Sequence, residues 1–461
     1  LPVYVPPHVR RPPKPPGWFE GLRLFARDML SIFPDSAFTS RLMRFRVLRR
    51  DVAIVNDPAL VREAFVERHD VLQRKSPQMI RALVPLLGDG LFVSDGPVWR
   101  ERRGAVAPIV HTRNVPRFFP VMRDTALEWR EQWASRREGE PIDVLNEMGN
   151  LTAEIIARAL FGGALGRAHT GEVIDAFADY QREVDQLDLF SLLRLPDWMP
   201  RPRQSRRART AALRIQRVID AVIARMIADR DDPALADTFV VRMLAARDAE
   251  GRPFTPAAIR NEAIVIFMAG HETTANTLAW ALFLLSEAPW ARERLIAEID
   301  AEMGSAPLRF ETVGRLVYAR AVVEETMRLY PPVPLLGREA IADCALDGKA
   351  MKVGTQVTVA AWLLHRNGRL WERPDQFLPE RFLPDRERPG KHAYVPFAVG
   401  PRICPGMAFG LIEAVTCLAT LLQAFDLALA PGHLVRPTCR MTLRPGDRLP
   451  MILRRRGPRA V

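Results

Sequence analysis

The sequence predicts a mainly α-helical protein with a small β-rich subdomain, built as one large domain. Three observations carry this prediction. Apolar residues recur at helical spacing over long stretches, short β-branched runs are few, and no linker or repeat interrupts the pattern after Trp18. Residues 1–17 hold seven prolines and no apolar period, so they read as an extended lead-in to a single domain over 18–461. A short strand is expected at 51–56. Helices follow over 58–69, 98–110, 117–137, 147–161 and 207–229. The longest helical pattern covers 256–288, with Thr255 as N-cap and Pro256 at the first helical position. At a rise of ~1.5 Å per residue it reaches about 50 Å, enough to cross the interior of the protein. Further helices are expected over 290–303, 319–330 and 405–424, with strands at 338–346 and 353–360. Between them, 365–403 is rich in Pro, Gly, Arg and Asp and reads as ordered coil, whose length suggests a functional role.

Composition narrows the function classes. Of 461 residues, 48 % are hydrophobic and 26 % charged, which suits a globular protein with a large core. Lys and Arg outnumber Asp and Glu by 66 to 54, a net charge of +12. The excess is Arg scattered through amphipathic segments, which argues against nucleic-acid binding. The four cysteines (Cys344, Cys404, Cys417 and Cys439) have no CxxC spacing and are too sparse for a disulfide scaffold. They point to a reducing, cytoplasmic setting. The most apolar stretches, 263–270 and 278–285, both fall short of the roughly 18 apolar residues of a membrane span. Neither an anchor nor a signal peptide is expected in this chain.

Three constellations carry chemistry. The centre of the long helix reads Ala269-Gly270-His271-Glu272-Thr273-Thr274. A glycine, an acid and hydroxyls in the middle of a core helix break local rules, which marks a site. One bland alternative is a threonine bonding back to its own helix. A zinc helix is excluded, because the second His of HExxH is Ala275. The second constellation is Phe397, Gly400, Arg402, Cys404 and Gly406, at F-x-x-G-x-R-x-C-x-G ahead of the 405–424 helix. A Cys on such a loop has its thiolate favoured by the helix N-terminus. The third comprises Glu325-x-x-Arg328, whose side chains share a helical face, Arg381 within Pro-Glu-Arg-Phe, and Trp99-x-x-x-Arg103.

Together these motifs resemble the cytochrome P450 superfamily, over essentially Trp18 to the C-terminus, and the chain is similar to its soluble, bacterial-type members. The departures are Val399, where many members carry Gly or Ser, and Gly337 ahead of Arg338. The resemblance implies the P450 fold, with haem b between the long helix and the Cys loop. Cys404 would be the thiolate ligand of the iron and Phe397 its shield, with Gly400 and Gly406 permitting the turn. Arg402, Trp99, Arg103 and Arg338 would serve the propionates. Gly270, beside Ala269, would leave room for dioxygen, and Thr273 with Glu272 would handle protons. Glu325, Arg328 and Arg381 would form a structural triad. The implied activity is insertion of one atom of O2 into a hydrophobic substrate.

By family position, the substrate walls would come from 76–92, 185–199, Ile266, Ala269, 334–336 and 440–443. The apolar candidates are Met79, Ile80, Leu83, Val84, Leu86, Leu87, Phe92, Leu187, Phe190, Leu335 and Leu336, with Arg81 or Arg194 as carboxylate anchors. No G-x-G-x-x-G motif or reductase-sized domain is present. Electrons from NAD(P)H would therefore arrive through an acidic ferredoxin or flavodoxin with its reductase. That partner would dock on a basic face holding Arg100, Arg102, Arg366, Lys391 and His392, and the enzyme is expected to be a monomer. Two alternatives remain: a haem-thiolate peroxygenase or isomerase, and a Cys-Pro haem sensor.

Overall fold

The long helix forms where the caps place it, as Pro256–Glu287 in a computed structural model that describes residues 3–183, 193, 205–439 and 441–457. The Thr255 hydroxyl accepts the Ala258 N–H at 3.2 Å, and Pro256 occupies the first turn. Most of its residues are buried, so helices pack around it on all sides. Val144–Phe161 lies along it, and the Thr152 hydroxyl donates to the His271 carbonyl at 2.9 Å. Gly270 permits the close approach, since a Cβ there would meet Ile156 Cδ1 at 3.0 Å.

The other predicted helices form close to their expected ends: Gly96–Ile109, Val115–Ala134, Arg206–Ala228, Pro289–Met303, Val317–Leu329 and Met407–Leu422. The 58–69 helix divides into Pro58–Arg62 and a wider turn over Glu63–Glu67. Among the described residues, three helices of ten or more residues carried no clear signal, namely Trp18–Arg27, Pro77–Leu87 and Gly166–Glu183, as did the short Phe239–Ala245, Phe310–Val313 and Ala361–Leu364. Pro85 sits inside the second, and the third begins on a glycine with positive φ.

The main sheet joins distant parts of the chain. Leu42–Val47 pairs antiparallel with Arg50–Val55, which pairs in parallel with Gln356–Ala360. Gln356–Ala360 pairs antiparallel with Leu335–Glu339. The strand expected over 338–346 is thus two strands, Leu335–Glu339 and Cys344–Leu346, in different sheets. Coil with short helical turns dominates 365–403, as expected.

The proline-rich start is extended, but it is tied to the body. The Tyr4 carbonyl accepts the Phe377 N–H, the Tyr330 hydroxyl donates to the Pro7 carbonyl, and Arg11 pairs with Asp375 and covers the Phe38 ring. Val9 is buried.

Candidate active site

A cavity of about 1310 Å³ lies between the centre of the long helix and the Cys404 loop, and both line it. Cys404 sits on a tight loop whose form depends on Gly400. At φ +71°, a Cβ there would also lie 2.2 Å from the Phe65 carbonyl oxygen, so both backbone and space demand glycine. Gly406 differs from expectation. Its φ of −88° suits any residue, and a Cβ would sit 3.9 Å from the Cys404 sulfur, an ordinary contact. The Cys404 N–H donates to the Phe397 carbonyl at 2.9 Å, closing the loop. Desolvation pushes the Cys404 thiol up although the residue is exposed to the cavity, against the Gly406 N–H and Arg103, which favour the charge.

Positive charge without counter-ions collects on one part of the cavity lining. Lys75, Arg103, Arg338 and Arg402 line it together, and among the described residues none has a carboxylate within salt-bridge range. Burial, Arg338 and Arg402 hold Lys75 well below the ordinary lysine range. Arg338 is pushed down to about 9 by burial and Arg402, and Arg402 to about 10 by burial, partly opposed by Asp95. Arg402 lies 4.5 Å over the Trp99 ring and donates to the Ser94 carbonyl, while its buried Nε finds no partner. Buried cations of this kind require anions. A macrocycle bearing two carboxylates beside a cysteine sulfur satisfies both features, so these residues fit haem. Lys75 was not legible beforehand: it lies in no motif and joins the group only through the fold.

On the long helix, Thr273 faces the cavity, half-buried, with its hydroxyl donating to the Ala269 carbonyl at 2.7 Å. The back-bond fixes the rotamer and leaves the oxygen lone pairs free. Glu272 is buried and held on three sides. It accepts from the Thr442 hydroxyl at 2.6 Å, from the Gln181 amide at 2.6 Å and from the Arg444 guanidinium. Burial raises its pKa, but Arg444, Thr442 and His271 outweigh this and hold the carboxyl below its usual range. Arg444 is about 41 % exposed and so links this carboxylate to solvent.

Behind the cavity, Glu325 and Arg328 form two hydrogen bonds, at 2.6 and 2.8 Å, with no exposed surface. Arg381 approaches the same carboxylate at 3.5 Å. Arg328 also donates to the carbonyls of His365, Pro374 and Gln376, so this group pins the 365–378 coil.

Of the expected apolar walls, Met79, Leu83, Phe92, Ile266, Leu335 and Leu336 line the cavity, as do Ala269, Met441 and Thr442. Ile80 does not, because it projects from another face of its helix than Met79 and Leu83. Val84 turns to solvent, Leu86 and Leu87 pack in the core, and Arg81 is not a lining residue. Leu187, Phe190 and Arg194 lie outside the described residues. Part of the wall was unforeseen: Phe25, Met29, Met43, Phe45 and Leu48, from the first helix, the segment after it and the first hairpin, extend the cavity outward. The expected basic face also changes. Arg102 is buried against Asp89, and Arg366 is buried over Trp362 beside Asp375, so neither reaches a partner. Arg100, Lys391 and His392 remain accessible, with Arg62 near His392.

Among the described residues, no helix is long and apolar enough to cross a membrane. Comparison with known proteins agrees with this architecture. The chain is 32 % identical over 429 residues to cyclooctatin synthase of Streptomyces melanosporofaciens, covering 92 % of this chain and 91 % of that one. It is 28 % identical over 425 residues to the chloroplastic carotene epsilon-monooxygenase of Arabidopsis thaliana, covering 86 % and 76 %. The crystal structure of the cytochrome P450DA heme domain superposes with a TM-score of 0.83 at 25 % identity, covering 98 % and 99 %. The family model for cytochrome P450 matches residues 12–447, and with the cysteine loop and cation cluster brought to one cavity, the chain belongs to the cytochrome P450 family of haem-dependent monooxygenases.

Proposed function

We propose that this enzyme inserts one oxygen atom from O2 into a large, mostly hydrocarbon substrate, using electrons delivered from NAD(P)H by a separate acidic ferredoxin or flavodoxin. One observation carries the reading: a single deep, largely apolar cavity is lined both by Cys404 and by the Ala269–Thr274 stretch. A relative named for carotene, a hydrocarbon, supports an uncharged substrate.

Haem, when bound, supplies the activation of O2. The residues of this chain hold the parts in place. Cys404 would provide the iron ligand, and Lys75, Arg103, Arg338 and Arg402 the cations for the two carboxylates, with Trp99 packed beneath Arg402. Met79, Leu83, Phe92, Ile266, Leu335 and Leu336 exclude water and orient the substrate. Thr273 would present a hydroxyl oxygen to the cavity, and Glu272, held against the partly exposed Arg444, would hold a proton-transfer position beside it. The electron donor docks on the accessible basic residues Arg62, Arg100, Lys391 and His392.

The test is spectroscopic. Reduced protein under carbon monoxide is expected to give the strongly red-shifted Soret band of thiolate ligation. Cys404→Ala is expected to lose it, and single Ala variants of Cys344, Cys417 and Cys439 to keep it. Loss of the band in another cysteine variant instead would overturn the assignment.

A further inference from the structure

A fully buried carboxylate outside the cavity joins three elements, and the reaction as described makes no use of it. Glu262 lies two turns ahead of the Ala269–Thr274 stretch on the central helix. Its side chain has no exposed surface, and it is not a cavity-lining residue. Both of its oxygens accept the Leu91 N–H, at 2.9 and 3.2 Å. The neighbouring Asn261 amide donates to Asp89 at 2.9 Å, and Asp89 accepts from Arg102 at 2.7 Å. Arg102 closes the ring, with its Nε 3.7 Å from Glu262 and its side chain buried. The central helix, the 88–91 segment and the Gly96–Ile109 helix are therefore stapled at one point.

The backbone is shaped for this contact. A Cβ on Gly88 would sit 2.3 Å from the Asn261 amide nitrogen, and one on Gly90 would sit 2.7 Å from Val265 Cγ2. The segment thus lies flat on the helix. What it carries next is the substrate wall, because Leu91 and Phe92 both line the cavity. Phe92 packs under Lys75, and Arg102 directly precedes Arg103, so the staple also reaches the cation cluster.

We propose that Glu262 is a positioning residue which, through the Leu91 amide, sets the Leu91–Phe92 wall and so the fit of large apolar substrates. This rests on reading the cavity as the substrate site. Burial raises the Glu262 pKa to about 7, against the Leu91 N–H and Arg102, which lower it. A carboxyl in either protonation state still offers an oxygen to the Leu91 N–H. An amide does so too, whereas an alkyl side chain does not. The ladder Glu262→Gln, Glu262→Leu therefore separates the accepting oxygen from mere bulk.

The experiment uses the haem-loaded protein with two iron-binding probes, imidazole and 1-dodecylimidazole, titrated by Soret shift. Hydrogen exchange over residues 88–93 is followed in parallel. In Glu262→Leu, protection of this segment should fall at least about tenfold, an opening easier by about 1.4 kcal/mol. Affinity for dodecylimidazole should weaken about tenfold, while that for imidazole stays within about twofold. Glu262→Gln should keep both properties near wild type. If Glu262→Leu fails to load haem, Asn261→Ala, which cuts the Asp89 arm together with the Arg260–Asn261 bonds and leaves Glu262 in place, should move both readouts in the same direction by less. The proposal is overturned if segment protection and dodecylimidazole affinity are unchanged in Glu262→Leu, or in Asn261→Ala where that variant stands in. It is equally overturned if imidazole weakens as much as its long-chain derivative, since the effect would then lie at the haem. A wild type that binds dodecylimidazole no better than imidazole would instead sink the apolar-substrate reading on which the proposal stands.

Discussion

Thr273 and Glu272 are adjacent in sequence but meet different partners, because a helix turns neighbouring side chains to different faces. The Thr273 hydroxyl spends its proton on the Ala269 carbonyl, which leaves an accepting oxygen toward the cavity. Glu272 is clamped by Arg444, Thr442 and Gln181, and of these the partly exposed Arg444 is its side toward solvent. Thr273→Ala should keep fold, haem and ligand binding, yet divert reducing equivalents from product to released hydrogen peroxide. The measurement is product formed per NAD(P)H oxidised, with peroxide assayed alongside. Wild-type coupling in that variant would favour a peroxygenase. Glu272→Gln should slow turnover as a whole by about a hundredfold, the lower range for a positioned proton-transfer group, with an enlarged solvent isotope effect. The stretch stood out because an acid and hydroxyls in a core helix break local rules, and the pairing of the two residues came from the family resemblance. The clamp was not legible, because Gln181, Thr442 and Arg444 come from segments about 90 and 170 residues away in sequence.

At the scale of elements, the cysteine loop separates glycines that a motif treats alike. Gly400 has a left-handed backbone and abuts the Phe65 carbonyl, whereas Gly406 has an ordinary backbone and open space. Gly400→Ala should therefore destabilise the protein by more than about 1 kcal/mol, from backbone strain plus the forced movement of the loop. It should also lower haem occupancy. Gly406→Ala should leave haem content near wild type. Denaturation midpoints and the ratio of Soret to protein absorbance would decide this, and equal tolerance at both sites would contradict the loop geometry. The long helix was readable because its caps and apolar run are local. The Pro77–Leu87 helix was not, since Pro85 masks its period and tertiary packing overrides that local signal.

At the scale of the whole molecule, burial redistributes charge that composition only counts. Of the Arg residues near the cysteine loop in sequence or by expectation, Arg102 is used in the Glu262 staple and Arg366 in stacking on Trp362. The accessible remainder is a smaller basic face, so docking of an acidic donor should still depend on salt. Reduction by an acidic ferredoxin is expected to slow steeply between roughly 50 and 500 mM salt, as the screening length falls below ~10 Å. Lys391→Glu should reduce the low-salt rate and flatten the slope. A rate independent of salt would reject electrostatic docking.

The sequence by itself determined the helical class, the long central helix, the cysteine loop and a minority of the residues lining the cavity, among them Thr273, Arg402 and Cys404. Those features rest on local periodicity, capping and contiguous motifs, which need no knowledge of distant residues. Only the tertiary structure decided that Lys75 joins Arg103, Arg338 and Arg402, that Ile80 turns away, and that the first hairpin extends the cavity. It likewise decided that the proline-rich start is fastened beside Tyr330 and Phe377. The physical reason is common to all of these. Whether a side chain meets solvent, a counter-ion or the cavity depends on which remote element packs against it, and burial then sets its charge and its cost.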